Sequence, residues 1–255
     1  MTRYYRFAAV LVLSMGVVVA SIPAPVRGEA DGLFVGVHTI RADDEVLQKA
    51  RQGGFTWLVQ LLEWREVEPV RGERFWAYAD WLVRATEFYD LELALRLDHA
   101  PVWALDTDQA LPVDISAYAQ FVGRVAERYR GRVAAYIIWN EPNLAAEWGD
   151  QPPEAASYVQ LLCAAHSAIL EADPGALVVT AGLAPTNHAD VTAMDDRRYL
   201  RDMYAAGAAG CFDVLGAHPY GFAYAPDDPP QAHDLSLIHI SEPTRRHSVS
   251  RIPSS

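Results

Sequence analysis

The sequence predicts an α/β fold in which the strands of a parallel sheet alternate with helices. Six short, continuously apolar runs lie between residues 33 and 218 and begin at a mean interval of roughly 36 residues. Such runs are typical of parallel strands that are buried on both faces. The segments between them repeat apolar residues at helical spacing, and this alternation is the second observation that favours the class.

The predicted strands are LFVGVHT (33–39), FTWLVQLLEW (55–64), LELALRL (91–97), VAAYIIWN (133–140), ALVVTAG (176–182) and FDVLGAH (212–218). A helix is predicted from Asp43 to about Arg51, before Gly53 and Gly54. Two longer helices follow from apolar faces, which consist of Ile115, Tyr118, Phe121, Val122, Val125 and Tyr129 in one and of Tyr158, Leu161, Leu162, His166 and Leu170 in the other. Gly131 and Pro174-Gly175 are typical of their ends.

Two sheet arrangements fit this pattern, the doubly wound sheet and the (β/α)8 barrel. No G-x-G-x-x-G motif follows the first strand and no P-loop occurs, so the nucleotide motifs of doubly wound folds are missing. Polar and aromatic residues instead follow several strands: His38, Glu63-Trp64, Asp98-His99, Asn140-Glu141 and His218-Tyr220. Because a barrel builds its active site from many strand ends, we expect an incomplete (β/α)8 TIM barrel, with about six of eight units, over residues 31–234.

Composition excludes several classes of protein. With 51% apolar and 21% charged residues, the 255-residue chain is not disordered as a whole, and its net charge of −12 argues against nucleic acid as a partner. His38, His99, His188 and His218 form no metal-binding motif such as H-x-x-x-H, so we expect neither metal nor cofactor. Cys163 and Cys211 allow either a disulfide in an exported protein or two buried thiols.

The N-terminal residues 1–30 resemble an export signal. Arg3 and Arg6 precede an apolar run from Phe7 to Ala20, and small residues permit cleavage after Ala20 or Ala30. We therefore expect a secreted or extracytoplasmic protein with no stable membrane insertion after cleavage. An uncleaved membrane anchor is the alternative.

The C-terminal residues 235–255 differ from the rest of the chain. They begin LSLIHISEPTR, which is the translation of a common sequencing adapter in one reading frame. We expect this tail to be an artefact, with the native sequence interrupted near Asp234. A natural basic tail is the alternative.

The segment Trp139-Asn140-Glu141-Pro142-Asn143 carries the sharpest chemical signal. It directly follows a predicted apolar strand, so the Glu141 carboxylate is expected over the central cavity. An apolar environment can raise the pKa of such a carboxyl group enough for general-acid catalysis. The alternative is an ordinary Asn-Glu-Pro turn with a solvated glutamate.

Together these motifs resemble the clan of retaining (β/α)8 glycoside hydrolases that includes the cellulase-like and β-xylosidase-like families. WNEPN matches the Asn-Glu pair that ends strand four in that clan, and residues 216–221 (GAHPYG) match its strand-six motif. Asp80-Trp81, Ala100-Pro101-Val102-Trp103 and Trp64 with Glu68-Pro69 are similar to the xylosidase-like branch. The resemblance covers about residues 33–221.

The resemblance implies roles for individual residues. Glu141 is the expected acid/base, Asn140 the ligand of the sugar 2-hydroxyl, Tyr220 the partner of the nucleophile, and His218 part of the sugar subsite. Further substrate-binding candidates are the strand-end residues His38, Asp98 and His99, together with Trp64, Trp103 and Trp148, whose rings suit sugar faces or simple core packing.

Two departures from the clan matter. Gln60 stands where the second strand usually carries an arginine. The clan's nucleophile is a glutamate that ends strand seven, and that strand would begin at roughly residue 250, where only the adapter-like sequence stands. The expected function is therefore retaining hydrolysis of β-glycosidic bonds in poly- or oligosaccharides by the intact parent, with this chain inactive. A non-catalytic carbohydrate-binding barrel is the alternative, and an aldolase or isomerase is disfavoured because the only lysine, Lys49, lies on a predicted helix.

Overall fold

The computed structural model describes residues 34–105 and 112–220, and the backbone of Val10–Leu13 and Val17–Ala20. The predicted tail at 235–255, Gly221 of the strand-six motif and the rest of the predicted export signal lie outside the described residues. The predictions made for those segments remain predictions.

Five parallel strands form the sheet in the order of the sequence. They are β3 (Phe34–Thr39), β4 (Trp57–Glu63), β5 (Glu92–Asp98), β6 (Ala135–Ile138) and β7 (Leu177–Thr180). A doubly wound sheet reverses its strand order at a switch point, whereas a barrel adds each strand beside the previous one. The uninterrupted order therefore selects the incomplete (β/α)8 barrel, as the sequence predicted.

Two further strands, β1 (Val10–Leu13) and β2 (Val17–Ala20), lie within the predicted export signal. They pair with each other in antiparallel fashion, and β2 continues the sheet beside the first residues of β3. No helix in the described part of the chain is long and apolar enough to cross a membrane. The export signal itself remains a prediction.

Helices connect the strands. They are α1 (Asp44–Gln52), α2 (Trp64–Val67), α3 (Ala77–Phe88), α4 (Ile115–Arg128), α5 (Ala155–Ala172) and α6 (Asp196–Ala205). Short 3₁₀ turns cover Val102–Ala104, Ala145–Glu147 and Ala208–Gly210. An aspartate caps three of the helices: Asp43, Asp114 and Asp195 each accept a hydrogen bond from a backbone N–H of the first turn. The three predicted helices are confirmed.

The strands divide the core into two parts because alternate side chains face opposite sides of the sheet. Residues such as Leu58, Leu95 and Ile138 pack against the helices in the larger cluster. The smaller cluster lies on the other face, inside the barrel, and contains Trp57, Val59, Ala94, Ala135, Ile137, Val179 and Val214. It forms an apolar floor, and the polar residues His38 of β3 and Arg96 of β5 follow it on the same face of the sheet.

The sixth predicted strand is shorter than expected. Within 212–218 only two isolated parallel bridges form, between Val214 and Val179 and between Ala217 and Leu183. Gly216 crosses β7 so closely that a methyl group there would lie 2.4 Å from the carbonyl oxygen of Thr180. The segment is thus extended beside β7 without a continuous ladder.

A disulfide joins Cys163 on α5 to Cys211, which precedes the sixth segment. The sequence left this pairing open. The bond closes a loop with a sequence separation of 48 residues and ties the outer helix to the start of the segment that carries His218.

We predict that Cys163→Ser lowers the free energy of unfolding by about 2–4 kcal/mol, because the unfolded chain regains the entropy of a long open loop. Urea unfolding of this variant, compared with Cys163→Ser/Cys211→Ser as the control without a lone thiol, measures the effect. Thiol titration of the denatured, unreduced parent should find no reactive thiol; two reactive thiols would contradict the bond.

Candidate active site

The candidate site is centred on a contact between Glu141 and His218. Their side chains meet at the C-terminal ends of the strands, where Glu141 Oε1 lies 2.6 Å from His218 Nδ1, across 77 residues of sequence. His218 is 4% exposed and Glu141 16% exposed. The carboxylate is therefore fixed by a buried partner and yet remains partly accessible.

The backbone around Glu141 is strained. Trp139 has a φ of +70° and Glu141 a φ of +38°, a region that residues other than glycine rarely adopt. The Glu141 amide donates a hydrogen bond of 3.1 Å to the carbonyl of Gly182, beyond the end of β7. Such conformations persist where neighbouring structure enforces them, and they are concentrated at functional sites.

Asn143 is the residue that enforces this turn. Its buried amide donates to the carbonyls of Ala184, at 2.8 Å, and Met194, at 3.0 Å, and accepts a hydrogen bond of 2.9 Å from the Ala184 amide. The last residue of WNEPN thus fastens the Glu141 turn to the loop that follows β7. The sequence placed Asn143 in the motif but assigned it no role.

Gly182 allows His218 to reach Glu141. A methyl group at this position would lie 2.3 Å from His218 Cδ2 and 2.5 Å from Nε2, closer than any real contact. The imidazole therefore packs directly on the backbone after β7. The sequence alone gave no reason to single out this glycine.

Asn140 is held at both ends of its amide. Its Oδ1 accepts a hydrogen bond of 3.2 Å from Arg96 Nη1, and its Nδ2 donates one of 3.1 Å to Glu147. Because arginine only donates, the contact with Arg96 fixes which end of the amide is oxygen. Each end of the amide keeps one further bonding position for a ligand.

Arg96 is a site residue that the sequence reasoning missed. Its Nε lies 2.9 Å from Asp98 Oδ2, without the alignment of a hydrogen bond, and both side chains are largely buried. Asp98 also contacts His99 Nδ1, and this hydrogen bond raises the pKa of His99. A lone arginine within the apolar run LELALRL was the signal that could have identified it.

His38 joins the same cluster from the end of β3. Burial first, and then the positive charge of Arg96, lowers the pKa of His38 to about 4, so the imidazole is neutral at physiological pH. Its Nε2 is buried and has no hydrogen-bond partner in the described part of the chain. A buried polar atom without a partner is costly, which makes Nε2 a natural contact for a bound hydroxyl group.

Tyr220 lies beside His218, with ring centroids 5.7 Å apart. Burial and the negative charge of Glu141 raise the pKa of its hydroxyl, while Arg96 opposes them. These contacts and charges bring seven predicted residues together at the strand ends, and with Arg96 they form the Glu141 cluster. The seven are Asn140, Glu141, His218, Tyr220, His38, Asp98 and His99.

Gln60, which stands where the clan's second strand usually carries an arginine, has a different role in this structure. Its fully buried amide bonds the hydroxyl of Thr39, the amide of Ala42 and the carbonyl of Ile40, and so supports the loop between β3 and α1. A cation is present nonetheless, because Arg96 on the neighbouring strand contacts Asn140.

The prediction that Trp64 and Trp148 offer ring faces to sugars is wrong. Both are fully buried: Trp64 stacks on Phe121, and Trp148 packs edge-on against Trp139. Their large apolar area is used in the core instead. Trp103 is partly exposed but donates its Nε1–H to the carbonyl of Glu68, away from the Glu141 cluster.

The arrangement can protonate or deprotonate an oxygen bound near Glu141. The cluster combines one accessible carboxylate, a histidine in contact with it, an amide with spare bonding positions and one buried cation. In the described residues, Asp98 and Glu147 are the other carboxylates that hydrogen bonds or ion pairs tie to this cluster. Asp98 is committed to Arg96 and His99, and Glu147 to Asn140.

Comparisons with known proteins agree with the fold. No family model and no curated protein matches the sequence. A family 39 glycoside hydrolase from the gut symbiont Bacteroides cellulosilyticus WH2 is similar in structure, with a TM-score of 0.58 and 16% identity over 84% of this chain and 47% of that one. For a GH10 endoxylanase from a sugarcane soil metagenome the TM-score is 0.49 and the identity 15%, over 68% of this chain and 52% of that one. For endo-glycoceramidase II from Rhodococcus sp. the TM-score is 0.49 and the identity 19%, over 72% of this chain and 53% of that one.

At these identities the likeness shows the fold. The match with a TM-score of 0.58 agrees with the incomplete (β/α)8 barrel that the strand order indicates. The chain spans about half the length of each of the three structures named here. The predicted fold class is thereby confirmed.

We predict that Gly182→Ala destabilises the protein by about 1–3 kcal/mol, because its new methyl group overlaps the imidazole of His218. Gly210→Ala is the matched control, since a methyl group there meets no atom within 4 Å. Chemical denaturation of both variants measures the difference, and equal stabilities would contradict the close packing of His218 on β7.

A second prediction concerns pH. The folded pKa of His38, about 4, lies below its ordinary value of 6.5, so this group's contribution to stability is complete above pH 6.5. As pH falls towards 4 the unfolded chain binds a proton that the folded chain does not. The shift corresponds to about 3 kcal/mol of unfolding free energy lost over this range.

His38→Asn should remove this part of the pH dependence while leaving the carboxylate titrations in place. Denaturation of the unsubstituted chain and of the variant at several pH values tests the effect. NMR of the His38 C2 proton in the unsubstituted chain follows the titration itself. Identical pH profiles for the two proteins would contradict it.

Proposed function

We propose that the parent of this chain is a retaining glycoside hydrolase that cleaves β-glycosidic bonds in poly- or oligosaccharides, with Glu141 as its acid/base. The observation that carries the proposal is the accessible Glu141 carboxylate, 2.6 Å from His218 and next to Asn140, at the strand ends. Strand ends of this kind form the active sites of (β/α)8 enzymes.

The chemistry needs a group that gives a proton and later takes one back. Glu141 protonates the glycosidic oxygen while the C1–O bond breaks, and then accepts a proton from the water that attacks C1. His218 Nδ1 suits both steps, because it can donate to the ionised carboxylate or accept from the protonated one. The contact thus keeps Glu141 oriented throughout the cycle.

The neighbouring groups suit a sugar ring. Asn140 retains one donor and one acceptor position for the sugar 2-hydroxyl, and Arg96 keeps the amide in place. His38 Nε2 supplies a further polar contact. The partly exposed His99 binds a hydroxyl group, and the buried Asp98 holds the His99 ring in place. Tyr220 lies near Glu141 and is the proposed partner of the nucleophile carboxylate.

A retaining mechanism also needs a second carboxylate, about 5–5.5 Å from the first, to form the covalent intermediate. The other carboxylates tied to this cluster in the described residues are already paired with Arg96, His99 or Asn140. We therefore propose that the 255-residue chain binds its substrate without turning it over.

Secretion belongs to the same proposal. Disulfides persist in oxidising compartments, and the bond between Cys163 and Cys211 agrees with the export signal predicted for residues 1–30.

A non-catalytic carbohydrate-binding barrel is the second candidate. The lack of a second, unengaged carboxylate in the described part of the Glu141 cluster is the observation that favours it. Such a protein keeps the contacts of Asn140 and His38 with sugar hydroxyls but makes no use of proton transfer by Glu141.

Azide rescue separates the two candidates in the chain itself. Azide replaces the nucleophile: its nitrogen bonds to C1, the C1–O bond breaks and the phenol departs, which leaves an α-glycosyl azide. With a panel of phenyl β-glycosides we expect azide-dependent release of phenol, because Glu141 protonates the poor leaving group. Glu141→Gln should slow this reaction by about 100-fold, yet leave the reaction of 2,4-dinitrophenyl glycosides nearly unchanged.

Glu127→Gln, an exposed substitution on α4, is the control and should react like the parent. Equal rates for Glu141→Gln and the unsubstituted chain on phenyl glycosides would show that Glu141 is not the acid. Binding of the glycosides without any azide reaction would support the binding barrel instead.

A further inference from the structure

A cavity of about 340 Å³ lies on the outer wall of the barrel, away from the contacts of Glu141. It is formed by the connection between β4 and α3, by Trp103 after β5, and by one face of α4. Its lining residues are Glu68, Arg71, Gly72, Arg74, Trp103, Ala117, Gln120, Phe121 and Arg124. No part of the proposed mechanism uses it.

The cavity is positively charged in a chain whose net charge is −12. Among the described residues, three guanidinium groups line it, those of Arg71, Arg74 and Arg124, against the single carboxylate of Glu68. Glu68 is buried and fully engaged, since it accepts from the Gly72 amide at 2.8 Å and lies 3.1 Å from Arg74 Nη2. The lining therefore keeps a net positive charge.

Several donors of the cavity have no partner or only a weak one. Arg74 Nε is buried without a hydrogen-bond partner, and no described carboxylate pairs with Arg124. Arg71 lies over the ring of Trp103, 5.1 Å from its centroid, and is 3.8 Å from Asp114 with 70% of its side chain exposed. Planar guanidinium forks match carboxylates and sulfates, so these donors are suited to an anion.

The cavity is large enough for a ligand bigger than a single ion, because its volume falls in the range of sites for small organic ligands. The partly exposed ring of Trp103 and the amide of Gln120 add an apolar wall and a neutral hydrogen-bonding group. Both are common where proteins contact the faces and hydroxyl groups of sugars.

We propose that this cavity binds the carboxylate or sulfate group of an acidic saccharide, at a site separate from the Glu141 cluster. The saccharide part of this inference rests on the proposed function, whereas the anionic part rests on the arginines alone. The protein would then hold a charged polysaccharide on its outer wall while the strand ends face another stretch of it.

Calorimetry on the full chain tests the proposal with trigalacturonate, and with galactose 6-sulfate as the sulfated probe. We expect at least one of the two to bind, more weakly as salt concentration rises. Arg124→Gln should weaken that binding by about tenfold or more, the loss expected for one charge-assisted hydrogen bond. Gln120→Glu, an exposed substitution that adds a repelling carboxylate without disturbing the core, should weaken it similarly.

Arg130→Gln is the matched control, because it removes an exposed arginine just beyond α4 and outside the cavity; its binding should equal that of the parent. Equal affinity for fully methyl-esterified trigalacturonate would exclude recognition of the charge. Equal affinity for inorganic sulfate would reduce the site to a simple anion site and overturn the saccharide assignment.

Glu141→Gln distinguishes this inference from the proposed function. Binding that survives Glu141→Gln but not Arg124→Gln supports the outer site even if the chain proves inactive on every glycoside. The reverse pattern would locate the acidic saccharide at the strand ends and overturn the outer site, with the proposed function intact.

Discussion

The hydrogen bond between Glu141 and His218 depends on how closely the segment after Val214 approaches the end of β7. Gly182 and Gly216 leave no room for side chains at that crossing, so the imidazole rests on bare backbone. On the other side, Asn143 ties the strained Glu141 turn to the loop that follows β7. The carboxylate is therefore positioned by three segments that are distant in sequence, and the barrel brings these segments together.

This construction leaves Glu141 accessible but not free to rotate. Its neighbours have distinct physical roles. Arg96 supplies the positive charge, Asn140 keeps spare bonding positions, and the neutral His38 offers a polar atom that has no partner among the described residues. Such preorganised polar groups over an apolar floor favour the binding of a polyhydroxylated ligand. The outer cavity differs in its lining, which includes the arginines Arg71, Arg74 and Arg124.

The sequence predicted the parallel strands and the position of Glu141, because short apolar runs followed by polar residues directly reflect strands that end at a cavity. It could not predict contacts between segments. Gln60 seemed a replaced site residue but supports a loop, and Trp64 and Trp148 seemed sugar platforms but fill the core. Arg96 and Gly182 escaped notice because their importance lies in what they touch, which only the packed structure fixes.

The most direct test of the role of Glu141 is a crystal structure of the chain with a bound β-linked oligosaccharide, chosen as the tightest binder from a neutral panel. We predict a glycosidic oxygen within hydrogen-bonding distance of the Glu141 carboxylate, with His218 still in contact with that carboxylate and Asn140 bonded to a sugar hydroxyl. A sugar bound elsewhere on the molecule, or a Glu141 turned away from His218 and the ligand, would contradict it.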